Sequence, residues 1–188
     1  MITTSSETLR DRLSLLRQHA MASSAIDRHS STDKLSEDHI ELGYNYRMTD
    51  IQAAVGIVQL ERLDAIIKER RLIAQEYILG LSEIEWIGLP LEEDGYYSNY
   101  QSFALRIQPG SPISRNELMS ILCENGISTR KGVMTAHRET AYKDNCNDVS
   151  LPVSEEASDN SLMIPLYAPM MKEDVNKVIN EIKRAFKG

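Results

Sequence analysis

The chain has 188 residues, 41% of them apolar, with a formal net charge of −7 and an isoelectric point near 5.2. This length and apolar content suit a domain with its own core and exclude wholesale disorder, while the acidic balance excludes a general nucleic-acid binder, whose phosphate contacts need a basic surface. No apolar run approaches the roughly 20 residues of a membrane-crossing helix, and Cys123 and Cys146 are isolated thiols without the spacing of a metal site or a disulfide framework.

Residues 1–6, Met-Ile-Thr-Thr-Ser-Ser, lack the charged start and apolar block of a signal peptide, so a cytoplasmic protein is expected. The β-branched run at 1–4 reads as the tail of a strand turning into a helix. Leu9, Leu13, Leu16 and Ala20 then recur at helical spacing, predicting an amphipathic helix over 8–21. Residues 22–40 carry Ser, Asp and His without a period and read as a loop.

That loop delivers the chain to Leu-Gly-Tyr-Asn-Tyr-Arg-Met-Thr-Asp-Ile-Gln-Ala-Ala at 42–54, the most informative stretch. Thr49 with Gln52 three positions later forms a capping box, and Asp50 places negative charge at the positive end of the helix dipole. Just ahead stand an amide, Asn45, and a guanidinium, Arg47, flanked by Tyr44 and Tyr46; these donors suit a phosphate or a carboxylate. They equally suit the carbonyls around a tight helix entry.

From Thr49 to about residue 80 no proline intervenes, and Ile51, Ala54, Val55, Val58, Leu63, Ile66, Ile67, Ile73 and Ile78 keep a helical rhythm. One continuous helix there would run for about 45 Å, longer than usual in a small domain, which predicts an element spanning two domains or two subunits. Gly56 in its interior costs roughly 1 kcal/mol against Ala, and close approach of another backbone is the expected compensation. The charge run at 68–71 reads as a solvated face.

Residues 81–99 read as a connector with a brief strand at Trp86-Ile87, and 100–107 as a strand. Ser114 and Glu117 form a second capping box for a helix ending at Asn125-Gly126, with a strand entering at 127–129. A polar irregular stretch, a helix over 152–162, a short buried segment at 163–166 and an amphipathic helix over 172–186 complete the chain. This order predicts a small α+β layer with helices against one face of a short sheet.

The stretch 43–54, with Gln-Leu-Glu-Arg-Leu at 59–63, resembles the signature of the DegT/DnrJ/EryC1/StrS family of pyridoxal-phosphate enzymes, mostly aminotransferases acting on nucleotide-linked keto-sugars. The likeness continues through Gly126-Ile127-Ser128-Thr129-Arg130, the segment 136–142 around His137, and 162–167. It implies an α/β protein of the aspartate-aminotransferase-like fold (fold type I): residues 1–48 as a remnant of the large cofactor-binding domain, 49–80 as a long interdomain helix, and 81–188 as the C-terminal small α+β domain.

The resemblance further implies pyridoxal phosphate as cofactor, with Asn45 and Arg47 contacting its phosphate across a homodimer interface, and a nucleotide-sugar substrate near His137 and Arg130. A solvated loop histidine and an outward surface arginine are the plain alternatives for those two. Transamination needs a Schiff-base lysine and an acid for the pyridine nitrogen. In the family that lysine precedes a Gly-Glu-Gly-Gly turn, which does not occur in this sequence, and none of the eight lysines has its surroundings. No catalytic residue and no metal ligand is therefore assigned. The expectation is the C-terminal part of a sugar aminotransferase homologue, inactive alone, that forms a homodimer or joins a missing N-terminal large domain. The alternatives are an oligomerisation or interaction module and a nucleotide-sugar-binding protein without turnover.

Overall fold

The computed structural model describes residues 2–21, 38–146 and 148–187, so most of the loop expected at 22–40 lies outside the described residues. The chain divides into two compact units, Met1–Glu61 and Arg62–Gly188.

In the first unit, helix α1 spans Glu7–Leu16, with the Leu9 N–H donating to the Ser6 hydroxyl at its N-terminus. No strand forms over residues 2–4. The helix stops well short of residue 21 because His19 and Ala20 take left-handed backbone conformations, φ 59° and 53°. The segment at 44–46 then takes the carbonyls freed at the helix end: Tyr44 N–H donates to Leu16 O and Tyr46 N–H to Arg17 O. Helix α2 spans Asp50–Glu61 and opens on the expected capping box, with Gln52 N–H on Thr49 Oγ1 at 3.2 Å and Thr49 N–H on Gln52 Oε1 at 3.0 Å. No residue of α2 is buried. Around Gly56 a Cβ would meet nothing within 4 Å among the described residues, so the close backbone approach expected there is not found.

The long helix is also two helices. At Arg62 (φ −94°, ψ −6°) the hydrogen-bond ladder of α2 ends, and α3 runs separately over Leu63–Leu81. Arg62 caps α3 with its carbonyl, which accepts from Ile66 N–H, so one residue outside both ladders divides a stretch whose apolar rhythm is unbroken.

The second unit is built on an antiparallel sheet of four strands, β1 (Ile87–Gly88), β2 (Phe103–Ile107), β3 (Arg130–Lys131) and β4 (Ser161–Ile164), in the order β1-β2-β4-β3. Phe103 faces Ile164, and Leu105 faces Leu162. Alternation along β2 buries Phe103, Leu105 and Ile107 and turns Arg106 to the other face. Onto the buried face pack α3 through Ile73, Ala74, Tyr77 and Leu81, α4 (Arg115–Glu124) through Leu118 and Leu122, and α6 (Lys172–Ala185) through Val175, Val178, Ile179 and Ile182. Tyr77 is fully buried, and its hydroxyl donates to Pro165 O at 2.7 Å; burial pushes its ionisation well above the ordinary tyrosine range. The capping box at α4 forms as expected, Glu117 N–H on Ser114 Oγ and Ser114 N–H on Glu117 Oε2.

Not every helix joins that layer. Helix α5 (Pro152–Asn160) buries no residue, and Arg106, on the outward face of β2, donates to both carboxylate oxygens of its Glu156 at 2.7–2.8 Å. The expectation of helices on one face alone therefore fails for α5, which covers the opposite face through ion pairs rather than apolar burial. Further ties include Arg138 to Asp159 and the nine-tenths-buried Arg115, whose guanidinium donates to the Ser161 carbonyl at the helix end.

Candidate functional site

In the first unit the site candidate is the loop that enters α2. Gly43 lies where a side chain has no room: a Cβ there would collide with the Ala20 nitrogen and the carbonyl carbon of His19. Two backbones therefore meet at this glycine, and Ala20, fully buried, seals the contact. From this anchor the chain runs extended, with Gln18 and Asn45 forming a lone antiparallel bridge and the rings of Tyr44 and Tyr46 stacked at 5.1 Å and 3°. Side chains two apart share a side of an extended chain, so Asn45 between them projects away from the rings.

Asn45 and Arg47 are both exposed, and neither side chain makes a hydrogen bond among the described residues. An amide and a guanidinium with unengaged donors, beside a helix N-terminus, make a donor set that fits the oxygens of a phosphate. The backbone of the same segment is tied to the end of α1, with the Tyr44 and Tyr46 N–H groups donating to the Leu16 and Arg17 carbonyls.

In the second unit a cleft of about 630 Å³ opens between the segment 133–137 and α5, lined by Val133, Met134, His137, Cys146, Leu151 and Ser158 among others. The His137 side chain is 7% exposed, and its Nε2 lies 2.9 Å from Glu155 Oε1. That same carboxylate oxygen accepts from the Leu151 N–H at 2.8 Å. The backbone bond from Leu151 and then the bond from His137 hold the Glu155 carboxyl below the usual carboxylate range. Glu155 is thus an anion at the N-terminal turn of α5, where the helix dipole favours negative charge.

Ser161, which lines the cleft, packs against Gly132, buried on the edge of the sheet. The Gly132 N–H donates to Ser161 O at 2.8 Å, and a Cβ on Gly132 would strike the Ser161 hydroxyl. Arg130 lies on β3, opposite Met163, with its side chain exposed, and it is not among the residues lining the cleft. Of the two residues expected near a substrate, only His137 belongs to this cleft. Glu155, Gly43 and Gly132 were not singled out from the sequence. For Glu155 the available signal was its place in the first turn of a helix opened by Pro152, which marks it as a local acceptor.

Among the described residues no three His, Cys, Asp or Glu side chains gather in a metal-ligating group, and no helix is long and apolar enough to cross a membrane. Cys123 and Cys146 are both free thiols.

Residues 1–183 match the DegT/DnrJ/EryC1/StrS aminotransferase family. Among solved structures, the chain is similar to DesV of S. venezuelae, at 27% identity and a TM-score of 0.81, with 99% of this chain and 46% of that one covered. It is similar to the aminotransferase TlmJ of Streptoalloteichus hindustanus, at 26% identity and a TM-score of 0.81, over 97% of this chain and 46% of that one. Helicobacter pylori PseC, an aminotransferase of pseudoaminic acid biosynthesis, shares the fold at 19% identity and a TM-score of 0.84, over 98% of this chain and 47% of its own. The chain spans about half the length of the structures it matches.

Proposed function

The chain belongs to the DegT/DnrJ/EryC1/StrS aminotransferase family, and on that premise we propose that it supplies one half of a pyridoxal-phosphate-dependent aminotransferase for nucleotide-linked keto-sugars. In this reading residues 1–48 belong to the cofactor-binding domain, 49–80 connect it to the rest, and 81–188 form the small domain. Asn45 and Arg47 bind the cofactor phosphate, and His137 contacts the substrate. The observation that carries the reading is the Gly43-anchored loop, which presents the exposed amide and guanidinium ahead of α2, without a side-chain hydrogen bond among the described residues.

Pyridoxal phosphate, when bound, supplies the electron sink for amino-group transfer. The residues of this chain bind and orient, and the Schiff-base lysine comes from a part of the enzyme that this sequence does not carry. The chain alone therefore does not convert a keto-sugar with glutamate; turnover by the purified chain, unaided by a second polypeptide, overturns this. Borohydride treatment with pyridoxal phosphate, followed by peptide mass spectrometry, gives no single preferred lysine adduct. Fluorescence titration with the cofactor is weakened roughly tenfold or more by Arg47→Ala, the worth of one charge-assisted hydrogen bond.

A second reading, an interaction module, is favoured by one observation. Ile51, Val55 and Val58 lie three to four residues apart on α2 and are 79%, 58% and 52% exposed, a contiguous apolar row of the kind that marks an interface. Light scattering combined with nucleotide-sugar titration separates the two: an oligomer that binds no nucleotide-sugar supports the module. Binding without turnover supports the enzyme half or a nucleotide-sugar-binding protein.

A further inference from the structure

We infer that Glu155 is a positioning residue for His137: it holds the imidazole with its proton on Nε2 and leaves Nδ1 as the nitrogen offered to a ligand in the cleft. The inference rests on the assignment of His137 to the substrate site and deepens it by naming the atom that would meet the substrate.

An ionised carboxylate only accepts hydrogen bonds. Glu155 is kept ionised by the Leu151 N–H and by its place in the first turn of α5, so the hydrogen in the 2.9 Å contact with His137 belongs to Nε2. Nδ1 has no hydrogen-bond partner among the described residues, and it is not among the fully buried polar atoms left without one. It is the ring nitrogen left for a ligand in the cleft that His137 lines. The ring cannot readily turn over: its side chain is 7% exposed, and a flip would exchange a bond to a carboxylate for an unmatched contact.

Arg138, which follows His137, is engaged by Asp159 at 2.9–3.0 Å. Among the described residues no Lys or Arg lines the cleft, whose other polar walls are the hydroxyls of Thr135, Ser154, Ser158 and Ser161 and the thiol of Cys146. With no cation among its described lining residues and an anionic Glu155 beside it, the cleft suits an uncharged group better than a diphosphate. Its free imidazole nitrogen is an acceptor suited to a hydroxyl of the uncharged sugar portion of the substrate. The mechanical consequence is that α5, which has no buried residue of its own, is tied at its N-terminus to the ligand-facing histidine. One carboxylate oxygen closes the first turn of the helix and orients the ring.

The test is a long-range proton–nitrogen NMR spectrum of the full ¹⁵N-labelled chain, which has four histidines, with His137→Ala to assign the ring. At mildly alkaline pH His137 is expected as a single species protonated on Nε2, with a slowly exchanging ring proton. In Glu155→Ala that proton exchanges roughly tenfold faster or is lost. A wild-type ring protonated on Nδ1 overturns the inference, as does an exchange rate unchanged by Glu155→Ala. Should the Ala variant unfold, Glu155→Gln, whose amide oxygen still accepts from both the Leu151 N–H and Nε2–H, is expected to keep the proton on Nε2; a ring protonated on Nδ1 there overturns the inference. Titration with UDP-glucose shifts the Nδ1 resonance, and an equal shift with UDP alone overturns the sugar-hydroxyl assignment. The tautomer and exchange readouts need no ligand, so their failure counts against Glu155, whereas failure of UDP-glucose to bind counts against the proposed function.

Discussion

Residues Arg62–Gly188 enclose a contiguous core from Ile73 to Ile182, whereas among the described residues of Met1–Glu61 only Ala20 is buried. Both units carry amphipathic or apolar helices, so pattern alone does not separate them. What separates them is whether a complementary surface exists within the unit. Helices α3, α4 and α6 meet the apolar face of the sheet; among the described residues of its own unit α2 meets no such face, although its mean composition is the more apolar. Among the described residues, the unit that carries the candidate loop thus leaves its apolar helix surface uncovered, and burial is the main favourable term in folding.

Core truncations should sharpen this contrast most. Phe103→Ala or Leu122→Ala, both fully buried, should cost about 3–5 kcal/mol in denaturant unfolding of the full chain. Ile57→Ala on α2, already 59% exposed, should change it by less than about 0.5 kcal/mol. Equal costs at the two sites would erase the distinction between the units.

A backbone collision should be next in size. Gly132→Ala forces a methyl into Ser161 and should cost about 1–3 kcal/mol, typical of overpacking, together with loss of the β3–β4 pairing read by amide exchange. Gly43→Ala should behave differently. It should release the loop at 44–47 and weaken pyridoxal phosphate binding while the thermal transition of the second unit stays in place.

Arg71 tests the polar seams of the larger unit. Its guanidinium grips both oxygens of Glu92 at 2.8 Å, donates to Ser98 O, and lies 4.1 Å from the centre of the Tyr97 ring. Arg71→Lys keeps the charge but loses the planar fork, so limited proteolysis within residues 91–99 should speed up with little change in global stability.

The smallest effect expected is on acid stability. Glu92, Glu117, Glu155 and Glu156 of the second unit are held below the usual carboxylate range, by Arg71, the Ser114 backbone, the Leu151 backbone and Arg106 respectively, and Glu41 of the first unit by Arg12. A depressed folded-state value means stability that is fully present above the unfolded value of about 4.3 and is lost as pH falls through the lower folded values. Unfolding midpoints should therefore fall below about pH 4, and Glu117→Gln should flatten that fall. Stability that rises on acidification would contradict the assigned partners.

The legible parts of the fold are those encoded within a few residues. Both capping boxes formed as read, because Thr49 with Gln52 and Ser114 with Glu117 need only one helical turn to meet. The closing helix appeared within a residue of its expected end, since Val175, Val178, Ile179 and Ile182 carry an unambiguous apolar stripe. The third strand, expected at 127–129, formed instead at Arg130–Lys131 because its pairing with Leu162 and Met163 sets the register. In the candidate site, Asn45, Arg47 and His137 were nameable from residue type and motif. Glu155 was not, because its partner lies eighteen positions away and the two meet only when α5 docks.

By itself, then, the sequence determined the family, the helix entries, the short-range caps and the donors at 45 and 47, all of them local or motif-borne. Tertiary structure alone decided that Gly43 and Gly132 are places where another part of the chain leaves no room for a Cβ, and that α5 is held by charge on the face away from the core. The physical reason is the same in each case: periodicity reports which side of an element is apolar, while steric fit and ion pairing depend on which distant backbone or side chain arrives opposite it.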